Sequence, residues 1–169
     1  AILASADGSN NVATSSGPTA DQYTAIGVTG VDTPAETNLL GDVIDTKAST
    51  AVDSVAELQT LADAVAAVMA AANSADGNAT GGEVSLTQLQ ALGITGVTAD
   101  NLAAVQAAIA ATADDGSGAD SLSKLQTLVD GVNNALGVIS GYTGSNTAPT
   151  TTDYAAAGVT GVTSTNLAA

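Results

Sequence analysis

Carboxylates, hydroxyls and main-chain amides are nearly all the chemistry this sequence offers. The chain has 169 residues with 17 acids, two lysines (Lys47 and Lys124), no arginine, no histidine and no cysteine. The usual zinc, haem and iron–sulfur ligand sets are therefore missing. Ser-His-Asp and Cys-His nucleophiles are excluded for the same reason. Two acid pairs remain as candidates for proton transfer, Asp42 with Asp45 and Asp114 with Asp115. Such pairs work only when a cleft sets their pKa values apart. Neither pair recurs along the chain, and acids on a solvated face account for both. The expectation is a protein that is not an enzyme, with no catalytic, cofactor-binding or metal-ligating residues.

Three loops concentrate Asp, Asn and Gly: Asp7–Asn11, Asn73–Asn78 and Asp114–Asp120. Calcium takes about six to eight oxygen ligands, so loops of this kind could hold it. No window supplies the full EF-hand loop with its closing Glu. The segment Gly141–Thr147, in the place of a further loop of the first kind, has no acid. Solvated turns are the expectation, with structural calcium as the alternative. The Gly-x-x-Gly segments resemble half of a phosphate loop but lack its Lys-Ser/Thr ending. A helix end and interhelical turn is the alternative there. Asn78-Ala79-Thr80 fits the N-glycosylation sequon, a pattern easily met by chance in a Thr-rich chain.

The elements that would position these groups are organised by repetition. Gly27-Val28-Thr29-Gly30-Val31 recurs as Gly93-Ile94-Thr95-Gly96-Val97 and as Gly158-Val159-Thr160-Gly161-Val162. Leu58-Gln59-Thr60-Leu61 recurs as Leu125-Gln126-Thr127-Leu128, and Asn38-Leu39 as Asn101-Leu102 and Asn166-Leu167. Each copy reads as three helices. A short first helix opens on a capping box, Thr19-x-x-Gln22 or Ser85-x-x-Gln88, and ends at Gly27, Gly93 or Gly158. A second helix is capped by Thr33, Thr98 or Thr163, with three extra residues expected in the first copy. Its buried faces read as Leu102, Val105 and Ile109, and less cleanly as Leu40, Val43, Ile44 and Lys47. A third helix follows Ser54-x-x-Glu57 or Ser121. Its apolar stripe is Val55, Leu58, Leu61, Val65, Val68 and Met69, matched by Leu122, Leu125, Leu128, Val132, Leu136 and Ile139.

This predicts an all-α fold, a tandem repeat of three-helix bundle modules about 65 residues long. Residues 1–16 read as the end of a preceding repeat, 17–82 and 83–148 as complete repeats, and 149–169 as the start of a further one. The apolar share is 45%, of which 36 residues are Ala, so helical spacing rather than composition argues for order. Tyr23 and Tyr154 fall where the second copy has Leu89, which points to a core or interface role.

The repeat resembles Ala/Thr-rich three-helix modules in very large secreted bacterial surface proteins, adhesin-like and exported by type I systems. The string from Tyr154 through Gly158-Val159-Thr160-Gly161-Val162 to Asn166-Leu167-Ala168-Ala169 carries this, with Leu125–Asp130. The resemblance implies an acidic extracellular or cell-surface protein whose array serves as stalk, spacer or filament body. Its partners would be adjacent repeats or identical chains in a fibre. A looser likeness exists to three-helix modules that bind host albumin. The alternative function is accordingly a surface module recognising a host protein or glycan.

Charge bounds the partners further. Net charge is -15, and two cations cannot neutralise a run of phosphates, so nucleic acid is not an expected partner. The longest wholly apolar run, Ala64–Ala72, is far short of the ~20 residues that span a bilayer, so membrane insertion is not expected. No basic stretch precedes an apolar one near Ala1, so no signal peptide is expected in these residues.

Overall fold

The structure, a computed structural model, describes residues 2–6, 8, 17–73 and 84–167. Among these the ordered elements are helices, with no strand. In chain order they are α1 (Ile2–Ser5), α2 (Ala20–Ala25), α3 (Pro34–Asp45), α4 (Val55–Ala72), α5 (Leu86–Leu92), α6 (Leu102–Ala110), α7 (Leu122–Ser140), α8 (Thr151–Ala156) and α9 (Ser164–Leu167). A 3-10 turn at Ser49–Ala51 precedes α4.

Local chemistry explains where the helices begin. Thr19, Thr33, Ser54, Ser85 and Thr150 each accept from the amide three residues on, while a Gln, Glu or Asp at that position reaches back. Each closes a reciprocal box that satisfies two otherwise orphaned donors. The residue ahead of the short helices, Pro18, Val84 or Pro149, is buried and pins the entering chain. Gly93 ends α5 in the left-handed conformation at φ 93°, which a side chain would resist.

The second helices differ from the sequence expectation. Thr46 and Thr112 donate their hydroxyls to the carbonyls three residues back, at 2.7 Å each. They stand equally far beyond Gly30 and Gly96, so the first segment has no insertion. The positions that match are Leu39 with Val105 and Val43 with Ile109, all buried. The likeness of Asn38-Leu39 to Asn101-Leu102 is not structural, since Leu39 is fully buried and Leu102 is not. After Gly96 the chain spends residues 99–101 in a turn, whereas after Gly30 helix α3 starts at Pro34.

The core is continuous along the molecule. Its organising element is α4, which packs on α3 and also on α5 and α6. Helix α7 packs on α6 and α8, with a lesser contact to α3, and α1 lies on α3. Contacts across residue 82 and across residue 148 are thus as extensive as those inside the expected bundles. Three-sided packing buries a wide arc of α4: Leu58, Leu61, Ala62, Ala64, Val65, Val68, Met69, Ala71 and Ala72. In α7 only Leu125, Val129, Val132 and Ala135 are buried. Two corrections to the expected stripes follow. Val55 is 46% exposed, and Leu122, Leu128, Leu136 and Ile139 are only half-buried. Helix α4 is also long and apolar enough to cross a membrane by length and composition, and here its buried face packs on α3, α5 and α6.

Candidate functional site: a glutamine clamp on the glycine turns

The acids singled out by the sequence are mostly occupied with holding the chain. Asp42 lies in α3 and accepts the Leu122 amide at 3.2 Å, capping the first turn of α7 from eighty residues away. Burial raises its pKa above the ordinary aspartate value, opposed by that hydrogen bond and reinforced by Asp45 and Asp120. Asp45 is itself largely buried. Asp42, without Asp45, edges an open groove of about 610 Å³ between the start of α2, α3 and the start of α7. That groove also contains Asp120, whose carboxylate is paired with Lys124 at 2.6 Å. The other lysine, Lys47, donates to the Ala91 carbonyl at 2.9 Å and ties α3 to α5.

The Asp114–Asp120 loop is held as a turn. Asp115 accepts the Ser117 amide at 2.9 Å, and hydrogen bonding from the Ser117 hydroxyl and then that amide lowers its pKa. Gly116 has φ 74°, and a Cβ there would stand 2.7 Å from the Met69 sulfur. Among the described residues no cluster of three or more acids is placed to hold a metal ion. Most of the Asp7–Asn11 and Asn73–Asn78 loops and the Asn78-Ala79-Thr80 sequon lie outside the described residues.

The Gly-x-Thr-Gly segments are where the structure concentrates specific polar contacts. In the first, the Thr29 amide donates to Gln59 Oε1 at 2.9 Å, and Gln59 Nε2 donates to the Thr29 carbonyl at 3.1 Å. In the second, the Thr95 amide donates to Gln126 Oε1 at 3.1 Å, and Gln126 Nε2 donates to the Thr95 carbonyl at 3.2 Å. One planar carboxamide thus satisfies both main-chain groups of one residue. Each glutamine also donates to an acid one turn on, Asp63 at 2.7 Å and Asp130 at 2.9 Å, which fixes its orientation. Glycines at φ 91° and 76° (Gly27, Gly30) and at 93° and 77° (Gly93, Gly96) let the loop turn tightly enough to present that edge. Val28, Val31, Ile94 and Val97 are buried beneath it.

A second clamp stiffens the later turns. Asn101 is 94% buried by the 6% exposure of its residue and donates to the Gly96 carbonyl at 2.8 Å and to Asn133 at 2.7 Å. It also accepts the Thr98 amide at 2.7 Å. Asn166 repeats this locally, donating to the Gly161 carbonyl at 2.8 Å and accepting the Thr163 amide at 2.7 Å. In the first turn Glu36 does the corresponding work, accepting from the Asp32 and Thr33 amides at 2.8 Å each. Gln59, Gln126, Asn101 and Asn166 lie within the matched strings, but the repeat alone assigns them no role. Their signal was a polar residue recurring in register with the glycines.

No family model, curated protein or solved structure matches the chain. What the arrangement does chemically is join helices to turns by neutral hydrogen bonds.

Proposed function

We propose that the chain is a structural segment of an extracellular or cell-surface protein. In this reading it is a tandem repeat of helical modules about 65 residues long, spaced as the glycine segments are. The modules pack end to end as a stalk, spacer or filament body, with adjacent modules or identical chains as partners. The observation that carries this is the position of α4, which packs on the helix before it and on the two helices after it. A long helix serving two neighbours joins units by direct packing, as stacked repeat arrays do. The recurring clamps support the same reading, since they fasten the first two glycine turns to the next long helix. We assign no catalytic role and no cofactor. The sequence resemblance to secreted surface repeats supplies the location.

Antibody labelling of intact source cells tests that location. Strong labelling before permeabilisation is the expected result. Labelling only after lysis would overturn the extracellular reading.

A further inference from the structure

The third glycine turn, Gly158–Val162, is built like the other two and left half finished. Its glycines have φ 78° and 81°. The Val159 amide donates to the Tyr154 carbonyl at 2.9 Å, as Val28 does to Tyr23 at 3.1 Å and Ile94 to Leu89 at 3.0 Å. Asn166 holds the Gly161 carbonyl as Asn101 holds that of Gly96. Yet neither main-chain group of Thr160 has a partner among the described residues, where Thr29 and Thr95 are each paired twice. The apolar residue beside it is uncovered too. Val159 is 45% exposed, against 1% for Val28 and 4% for Ile94.

We propose that this turn is a docking site for an amphipathic helix carrying Leu-Gln-Thr-Leu-x-Asp, the string that α4 and α7 present to the first two turns. The proposal deepens the end-to-end reading above and rests on it. The chemistry of the site selects such an occupant. Thr160 offers a donor and an acceptor side by side. A carboxamide matches both, whereas a carboxylate could only accept and an ammonium could only donate. The Asp one turn beyond the Gln orients the carboxamide, at 2.7 and 2.9 Å in the two clamps already formed. The leucines flanking the Gln would cover Val159, as Leu58 and Leu125 are themselves buried in the existing interfaces. The surface is continuous with those interfaces, because α8 packs on α7 as α5 packs on α4.

The test uses the full chain, labelled with ¹⁵N, and the segment of residues 121–141 supplied as the probe. The segment is added as a free peptide and, in a second form, attached behind residue 169 by a flexible Gly/Ser linker so that local concentration is high. The expected result is a shift of the Gly158, Thr160 and Gly161 amide signals, with hydrogen exchange at Thr160 slowed by about tenfold or more. A Gln126→Leu version of the segment keeps the apolar stripe and should lose most of that protection. Val159→Asp in the receiving chain should abolish the shifts. Absence of shifts at residues 158–161 in both forms would overturn the proposal. So would equal protection of Thr160 by the Gln126→Leu segment, or shifts confined to Thr29 and Thr95. Failure here with labelled intact cells removes the docking site alone, while unlabelled cells with a protected Thr160 remove the extracellular reading alone.

Discussion

Tyr23 shows what a single side chain costs in this core. Its ring is fully buried while its hydroxyl has no hydrogen-bond partner. Burial alone pushes its pKa far above the ordinary phenol range. An unsatisfied buried hydroxyl opposes folding, so Tyr23→Phe should leave stability unchanged or raise it by up to about 1 kcal/mol. Urea unfolding checks this, and a loss larger than that would mean the hydroxyl is paired in solution. The sequence made the core role of Tyr23 legible, because Leu89 occupies the matching place and is equally buried. It did not reveal Gln59 or Gln126. A Gln on a long helix reads as solvated surface, and its value here depends on a turn some thirty residues earlier in the chain.

At the scale of elements, most helix starts were legible and helix surroundings were not; the exception is α6, expected to be capped by Thr98, which starts three residues later behind Asn101. Capping at Thr19, Thr33, Ser54 and Ser85 needs only four consecutive residues, so local sequence determines it. The burial of α4 and α7 depends on how extensively other helices cover them. The same Leu-Gln-Thr-Leu string therefore sits in a helix packed closely on three neighbours once, and once in a helix whose third contact, to α3, is slight. The contact of α3 with the start of α7 was equally out of reach, and it makes a pH prediction. Burial raises the Asp42 pKa in the folded chain, so the folded state holds that proton more tightly than the unfolded state does. Its contribution to stability therefore falls as pH rises from the ordinary aspartate value through the raised one. Asp42→Asn should flatten that part of the curve of melting temperature against pH. At neutral pH it should be as stable as the parent or more so, because the amide oxygen still accepts from Leu122 and the repulsion from Asp45 and Asp120 is gone. A loss above about 1 kcal/mol at pH 7 would mean that negative charge at the α7 N-terminus outweighs its desolvation. Glu57 and Asp153 act in the opposite sense. Hydrogen bonds from Ser54 and Thr150 lower their pKa values, so the caps of α4 and α8 weaken as pH falls through those lowered values.

For the whole molecule the governing quantity is uncompensated charge. Net charge is -15, and the ion pair found among the described residues is Lys124 with Asp120. Self-repulsion of this kind is screened over a Debye length of about 10 Å at 0.1 M salt. Raising sodium chloride from about 0.01 to 0.5 M should therefore raise the melting temperature, and a falling one would show that specific ion pairs dominate. Apolar exposure is distributed just as unevenly. The large apolar side chains that are exposed, Leu3, Ile26, Val55, Val138, Tyr142, Val159 and Leu167, all lie toward the two ends of the described chain, and none lies between residues 56 and 137.

The two-sided packing of α4 has a last consequence for anyone dividing this chain. The stretch of sequence after Asn73 invites a cut, since it separates the sequence into halves of nearly equal length. A break there would strip α5 and α6 from α4 and bare an apolar flank on both fragments. The two pieces would then be obliged to find each other again, so a nicked chain should behave as a non-covalent pair rather than as two free domains.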